Sequence, residues 1–427
     1  MKQSGRVAMA VVLAIGATLA LILIVLNLSS GEKKIKHQIE PLYAIGDPQF
    51  LRAMGSLLGP PIVGGNRVAT LINGDQIFPA MLDAIRGAKE TIDFETYIYW
   101  SGEVGQQFAD ALSERARAGI RVHVLLDWVG SGKAKNEYLD EMREAGVEVE
   151  KYHPLRWYHL ARINNRTHRK LLIVDGKVGF TGGVGIADKW SGNAQDPDHW
   201  RDSHFRLEGP AVAQMQAAFM DNWMKTQSKV LHGEDYFPRL EPVGSSGAQV
   251  FKSSPREGSE SVRLMYLLSI ASSRRRLLIA NSYFVPDDLS VDAFVAARKR
   301  GVDVEIIVPG AKIDSELTRK ASRSRWGDLL KAGVEIYEYR PTMYHCKVMV
   351  VDDLWVSVGS TNFDNRSFRL NDEANLNVFD NDFAREQAEV FERDRARSHR
   401  VTLSEWEHRP LPEKLLERLA GLLRSQL

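Results

Sequence analysis

The segment "ARAGIRVHVLLD" (116–127) returns as "RKRGVDVEIIVP" (298–309), and a chain that repeats itself is confined to folds that two copies of one module can build. The echoes continue in order. "REAGVEVEKYHP" (143–154) pairs with "LKAGVEIYEYRP" (330–341), and "AIRGAKETIDFETYIY" (84–99) with "IASSRRRLLIANSYFV" (270–285), at offsets between 182 and 187. The first pair reads as a helix end, a glycine stop and a buried strand. Alternating strand and helix patterns in both copies predict an α/β sandwich with mixed or parallel sheets. "PRLEPVGSSGAQVF" (238–251) has the composition of a linker, which puts a first half at 37–237 and a second at 252–427 with a C-terminal helix. A length of 427 residues suits two units, since single cores rarely grow so large.

A polar triplet repeats with the scaffold. His168, Lys170 and Asp175 in "RTHRKLLIVDGK" have the spacing of His345, Lys347 and Asp352 in "MYHCKVMVVDDLW", and each aspartate is followed by "GG" (182–183) or "GS" (359–360). One such triplet carries little information; two, at matching places in a duplicated chain, carry much. Residues i and i+2 of a strand share a face, so each histidine points the same way as its lysine. The aspartates lie an odd number of residues from their histidines and open "DG" or "DD" turns. A straight strand therefore aims Asp175 and Asp352 elsewhere, and within the triplet they read as supports for the turn or the lysine, not as proton-transfer groups.

Two His-Lys pairs about a pseudo-twofold axis suit the cleavage of a phosphodiester. Lys170, Lys347 and the amide of Asn362 in "GSTN" can neutralise the nonbridging oxygens without a metal. One imidazole attacks phosphorus to form a phosphohistidine; the other protonates the leaving oxygen and then deprotonates an incoming alcohol or water. Each half alone lacks the second histidine, so the site is expected at the seam. An attacking imidazole needs its other nitrogen tied to an acceptor. Asp202 in "HWRDSHFRLEGP" and Glu373 in "RLNDEANLNVFD" are the candidates, against surface pairs with neighbouring arginines. His199 and His204 flank Asp202 without metal-ligand spacing and read as structural or site-edge residues, so neither a metal nor a cofactor is expected.

The ends of the chain point to a membrane. "VAMAVVLAIGATLALILIVL" (7–26) is apolar except for Thr18, and as a helix spans roughly 30 Å, the thickness of a bilayer core. Its length favours a retained anchor within residues 1–36 over a cleaved signal ending at "SSG" (29–31). Lys2 and Arg6 nearly balance Lys33, Lys34 and Lys36, so flanking charge sets no orientation. The first copy carries some ten extra residues before His168, with Arg156, Trp157, Tyr158 and Arg162, a composition that suits either a bilayer interface or a packed surface loop. In the tail, Leu415, Leu416, Leu419, Leu422 and Leu423 recur at helical spacing, and docking of this stripe on the protein core is favoured over a membrane. A formal charge of +1 and a pI of about 7.8 argue against a protein that tracks nucleic acid. The single cysteine, Cys346, excludes an internal disulfide framework.

Across about residues 73–380 the chain resembles the phospholipase D superfamily, and its bacterial cardiolipin synthase branch in particular. The likeness is densest in "THRKLLIVDGKVGFTGGVGIADKW" and "YHCKVMVVDDLWVSVGSTNFDNRSFRLNDEANLNV", and extends to "NSYFVPDD" (281–288) and "SRSRWGDLLKAGVEIYEY" (322–339). The resemblance implies two pseudo-symmetric α/β sandwich halves, one shared active site and a catalytic set of His168, Lys170, Asp175, His345, Lys347 and Asp352. It makes His168 the nucleophile and His345 the general acid and base, a choice that spacing alone leaves open. It implies phosphatidyl transfer between two phosphatidylglycerol molecules at a bacterial inner membrane, with release of glycerol. Phospholipid hydrolysis is the rival within the superfamily; a nuclease and a silent membrane scaffold fit less well. The chain departs from the family at Gly185, where an asparagine is common, which leaves only Asn362 in that role.

Overall fold

The computed structural model describes residues 2–28, 35–154, 164–254 and 260–426. The first half contributes β1 (Val63–Ile72), β2 (Thr91–Thr96), β3 (Arg121–Asp127), β4 (Glu148–Tyr152), β5 (Arg166–Thr167), β6 (Leu171–Val174), β7 (Val178–Gly182) and β8 (Ser203–Glu208). The second contributes β9 (Ser246–Ser253), β10 (Arg276–Asn281), β11 (Asp303–Pro309), β12 (Glu335–Tyr339), β13 (Lys347–Val351), β14 (Trp355–Gly359), β15 (Asn371–Phe379) and β16 (Ser398–Val401). The order 4-3-2-6-7-8-1 meets 9-15-14-13-10-11-12-16 at β1 and β9. Followed outward from that junction, the two orders correspond strand for strand until β16. The sheets are mixed, as expected: β2, β3 and β4 run parallel, as do β10, β11 and β12, while the strands nearer the seam are antiparallel.

The runs "LLIV" and "VMVV" form β6 and β13, the middle strands of the two halves, and β6 is buried throughout. Strands covered on both faces read as unbroken apolar runs because neither face meets water. One apolar core lies under the outer helices of each half, around Phe94 and Phe108 in the first and Ile279 and Phe294 in the second. A third is common to both, joining Leu171, Phe205 and Trp223 to Leu278, Val350 and Phe383. The halves therefore share an apolar core, and the ends of β6 and β13 are held in fixed relation across it.

Three expectations are corrected. Residues 246–251, assigned to the linker, begin β9, whose partner β15 draws them into the sheet. Residues 37–58, assigned to the first half, pack on the second. Arg274 donates to the carbonyls of Pro41 and Tyr43 (2.9 Å each), and the helix Pro48–Leu58 buries Phe50 against Trp355, ring centroids 5.0 Å apart. The tail helix Leu411–Leu422 docks, but not through its leucine stripe: Glu417 and Ala420 are buried while the leucines face outward. Pairing of Glu417 with Arg323 (3.1 Å) and Arg409 (2.9 Å) decides which face turns inward. The N-terminal helix Lys2–Leu28 carries an apolar window, Arg6–Leu23, long enough to cross a membrane and with none of it buried. The aromatic and basic residues Arg156, Trp157, Tyr158 and Arg162 lie outside the described residues, as does the "SSG" at 29–31.

Candidate active site

Each histidine sits just before the central strand of its own half and is stitched to the other half by backbone. β5 pairs in parallel with β15, and the His168 N–H donates to the Asp372 carbonyl (2.8 Å). Arg201 bridges Tyr344 in the same way, and the His345 N–H donates to the Arg201 carbonyl (2.8 Å). In both places the residue next in sequence on the bridging segment is a carboxylate. The pairing is therefore crossed. His168 Nδ1 donates to both carboxylate oxygens of Glu373 (3.0 Å each), and His345 Nδ1 donates to Asp202 Oδ2 (2.8 Å). A carboxylate only accepts, so Nδ1 carries the proton and Nε2 is left with its lone pair.

The orienting carboxylates are themselves held. Glu373 accepts from the Ser360 hydroxyl (2.5 Å); Asp202 accepts from the Trp190 indole (2.9 Å) and the Ser203 N–H (2.8 Å). Gly183 is needed here, because a Cβ at that position would lie 2.1 Å from Asp202 Oδ1. Gly185 is equally constrained: a Cβ would come within 2.8 Å of Ile98 and 3.1 Å of Trp190, so no asparagine fits where Asn362 stands in the other half.

Both imidazoles, Lys170 and Asn362 line one cavity of about 330 Å³, walled by Tyr97, Trp100, Trp190, Trp200 and Tyr283. Lys170 Nζ donates to the His168 carbonyl (2.9 Å) and Lys347 Nζ to the His345 carbonyl (2.7 Å), so each lysine is folded back beside its own histidine. Lys347 also donates to Ser282 Oγ (2.8 Å), whose hydroxyl donates to Asn362 Oδ1 (2.7 Å). With Oδ1 engaged, the amide NH₂ of Asn362 is the end that meets a ligand.

Burial sets the protonation of this cluster. It pulls His168 down to about 4, with Glu373 opposing and Lys170 adding to the shift, and it lowers His345 with help from Lys347. Burial and the charge of Lys347 push Lys170 down to about 7, while Asp202 and Glu373 are held below the usual carboxylate range by the histidine each contacts. Two neutral imidazoles, two ammonium groups and two carboxylates sum to zero charge. A phosphodiester anion entering among these groups favours the charged form of His345, the form its role as acid requires.

Asp175 and Asp352 are not in this cavity. Asp175 accepts from the N–H groups of Lys89 (3.0 Å), Glu90 (2.7 Å) and Thr91 (3.0 Å), and Asp352 from those of Arg274 (2.8 Å), Arg275 (2.7 Å) and Arg276 (2.9 Å). Each stands five residues beyond its lysine, about 16 Å along an extended strand. Their place in a catalytic set is thereby corrected: they tie the turn after the motif to the start of the neighbouring strand, and neither touches the lysine. The odd spacing from the histidines had indicated as much. His204 is buried with its side chain in the sheet, and His199 Nδ1 donates to Asp196 (2.7 Å) at the edge of the site.

Residues missed by the motifs complete the wall. Tyr97 packs its ring on His168 (5.2 Å), and Trp190 and Trp200 pack on His345 (5.3 and 5.5 Å). Ser282 stands opposite Tyr97 in the fold, one residue off the register of 84–99 against 270–285, which sets Tyr97 opposite Tyr283.

A duplicated sandwich with one histidine from each copy at a shared cavity, and a lysine folded back beside each, defines the phospholipase D class of phosphodiester-processing folds. The family model described as "Cardiolipin synthase, PLD-like domain" matches residues 81–223 and again 266–395, and this chain belongs to that family. The major cardiolipin synthase ClsA of Bacillus subtilis (strain 168) is 37% identical over 362 residues, 84% of this chain and 75% of that one. Cardiolipin synthase 1 of Bacillus cereus is 34% identical over 375 residues, covering 86% and 73%. Among solved structures, the phosphatidylserine synthase of Haemophilus influenzae Rd KW20 shares the fold, with a TM-score of 0.68 at 15% identity over 89% of this chain and all of the other.

Proposed function

We propose that this protein is a cardiolipin synthase, a phosphatidyltransferase that moves the phosphatidyl group of one phosphatidylglycerol to the terminal hydroxyl of a second and releases glycerol. The observation that carries this reading is the convergence on one cavity of two imidazoles, each oriented by a carboxylate from the opposite half. His168 Nε2 attacks phosphorus, and the bond to the glycerol oxygen breaks as His345 supplies its proton. His345, now neutral, takes the proton from the hydroxyl of the second lipid, whose oxygen attacks phosphorus and expels His168. Lys170, Lys347 and Asn362 carry the charge on the nonbridging oxygens through both steps. The aromatic wall keeps water sparse beside the phosphohistidine, which favours a lipid alcohol over hydrolysis.

The N-terminal helix, retained as a single-pass anchor within residues 1–36, holds the two halves at a bacterial inner membrane. Purified full-length enzyme given labelled phosphatidylglycerol should yield cardiolipin and free glycerol in equal amounts. His168→Ala and His345→Ala should each abolish turnover with folding intact. Phosphatidic acid as the main product would replace this reading with a hydrolase.

A further inference from the structure

The leucines of the tail helix form a contiguous apolar face that nothing among the described residues covers. Leu411, Leu415, Leu416, Leu419, Leu422 and Leu423 are each at least 49% exposed and, at 3.6 residues per turn, fall within an arc of roughly 140°. The opposite face is fastened to the protein through Glu417, Ala420 and Gly421, the last set against Ser324, so the leucines cannot turn inward. Arg418, exposed, borders the apolar arc. An outward, fixed apolar stripe edged by positive charge is the pattern of a helix lying in a bilayer interface.

Position argues for lipid over protein as the cover. Seven peptide steps separate Leu28, the end of the apolar N-terminal helix, from Ile35, and such a stretch spans at most about 25 Å. Ile35 is held by Glu260 and Arg263, donating to the first (2.5 Å) and accepting from the second (3.0 Å). Arg263 also pairs with Asp287 (2.6 Å), and the adjacent Asp288 pairs with Arg424 (3.0 Å) just past the leucine helix. Beyond it, Arg366, which lines the catalytic cavity, donates to the Gln426 carbonyl (3.3 Å). A chain of direct contacts thus joins the anchor's exit at Ile35, the leucine helix and a residue lining the catalytic cavity.

We propose that the helix Leu411–Leu422 is a second, monotopic membrane contact, which beds its leucine face in the acyl-headgroup boundary of the bilayer spanned by the N-terminal helix and turns the catalytic cavity toward the lipid. The inference rests on retention of that anchor, not on the choice between transferase and hydrolase.

The test is depth-dependent quenching on the full chain in vesicles of phosphatidylglycerol and phosphatidylethanolamine. A bimane label is placed by Leu416→Cys, by Arg117→Cys on an outer helix of the first half, or by Ile15→Cys in the anchor. The native Cys346 is buried, its thiol pushed up to about 12, and stays unlabelled. The label at 416 should lose at least half its emission to lipids with a shallow acyl-chain nitroxide and resist aqueous iodide several-fold better than the label at 117. Leu415→Ser with Leu419→Ser should cut turnover on vesicles at least tenfold and leave turnover of short-chain lipid dispersed in detergent unchanged. Equal iodide quenching at 416 and 117 overturns the proposal. Shielding from iodide without lipid quenching also overturns it, in favour of a protein partner such as a second copy. Absence of lipid quenching at 15 removes the anchor and the proposal together.

Discussion

The crossed pairing of histidine and carboxylate makes a prediction that same-half pairing would reverse. Asp202→Asn should damage the function of His345, and Glu373→Gln that of His168, although each carboxylate lies downstream of the other histidine in its own copy. Each change removes a charge-assisted hydrogen bond to a buried ring, at 2.8 Å and 3.0 Å respectively, while nearly conserving volume. Such bonds contribute about 1.5–3 kcal/mol, or roughly 10- to 150-fold in rate if the whole effect is felt in the transition state. The two defects can be told apart by leaving group. A nitrophenyl phosphatidyl ester departs without a proton, so formation of the phosphohistidine from it needs the nucleophile but not the acid. In burst kinetics, Asp202→Asn should recover to within about threefold of the parent on that ester while staying slow on phosphatidylglycerol; Glu373→Gln should be slow on both. Identical behaviour of the two variants would refute the crossed assignment of roles. A mirror-image result would mean either same-half pairing or His345 as the nucleophile, which trapping and mapping the phosphohistidine tells apart.

The pH dependence of kcat/KM should be a bell: activity falls below about 4 as His168 takes up a proton, and the upper limb, no higher than about 7, follows loss of the proton that His345 must supply and of the Lys170 charge that binds phosphate. A profile flat from pH 6 to 9 would refute the depressed lysine. Binding of an unreactive phosphonate analogue at mildly acidic pH should take up about one proton, read by calorimetry in buffers of different ionisation enthalpy, because the ligand's charge favours the protonated His345 that burial disfavours in the empty site. Asp352→Ala removes the acceptor of three backbone N–H groups and should lower stability by about 2–4 kcal/mol in denaturant unfolding, with kcat of the folded fraction unchanged. A loss of kcat without loss of stability would return Asp352 to the chemistry.

Much of this architecture was legible in the residues because it rests on local periodicity. The spacing of His168 and Lys170 predicts a strand, which begins only after them at Leu171, while the odd spacing of Asp175 predicts that it points elsewhere, as it does. What was not legible depends on contacts between segments far apart in the chain. Asp202 and Glu373 stood out as carboxylates after each motif, but partner choice follows from the pairing of β5 with β15 across the seam, which no local pattern encodes. The leucine stripe showed a helix with an apolar face, yet a buried ion pair at Glu417 on the opposite side outweighed apolar burial in choosing how it docks. Residues 37–58 precede the first half in sequence and complete the second, because Phe50 finds its slot against Trp355.

The crossed pairing also explains why duplication alone would not suffice. An isolated half would carry an imidazole with no acceptor and, a few strands away, a buried carboxylate that keeps its local donors but lacks the imidazole, and each lost bond leaves a buried polar group less well satisfied. The first half would expose Leu171 and Phe205 of the shared core, and the second Leu278 and Val350. Two free copies would have to meet in register to repair both faults. Joined in one chain, they meet at the millimolar effective concentrations typical of short tethers. Folding of the seam and assembly of the catalytic groups then become one event, because the bonds that orient the histidines are among those that hold the halves together.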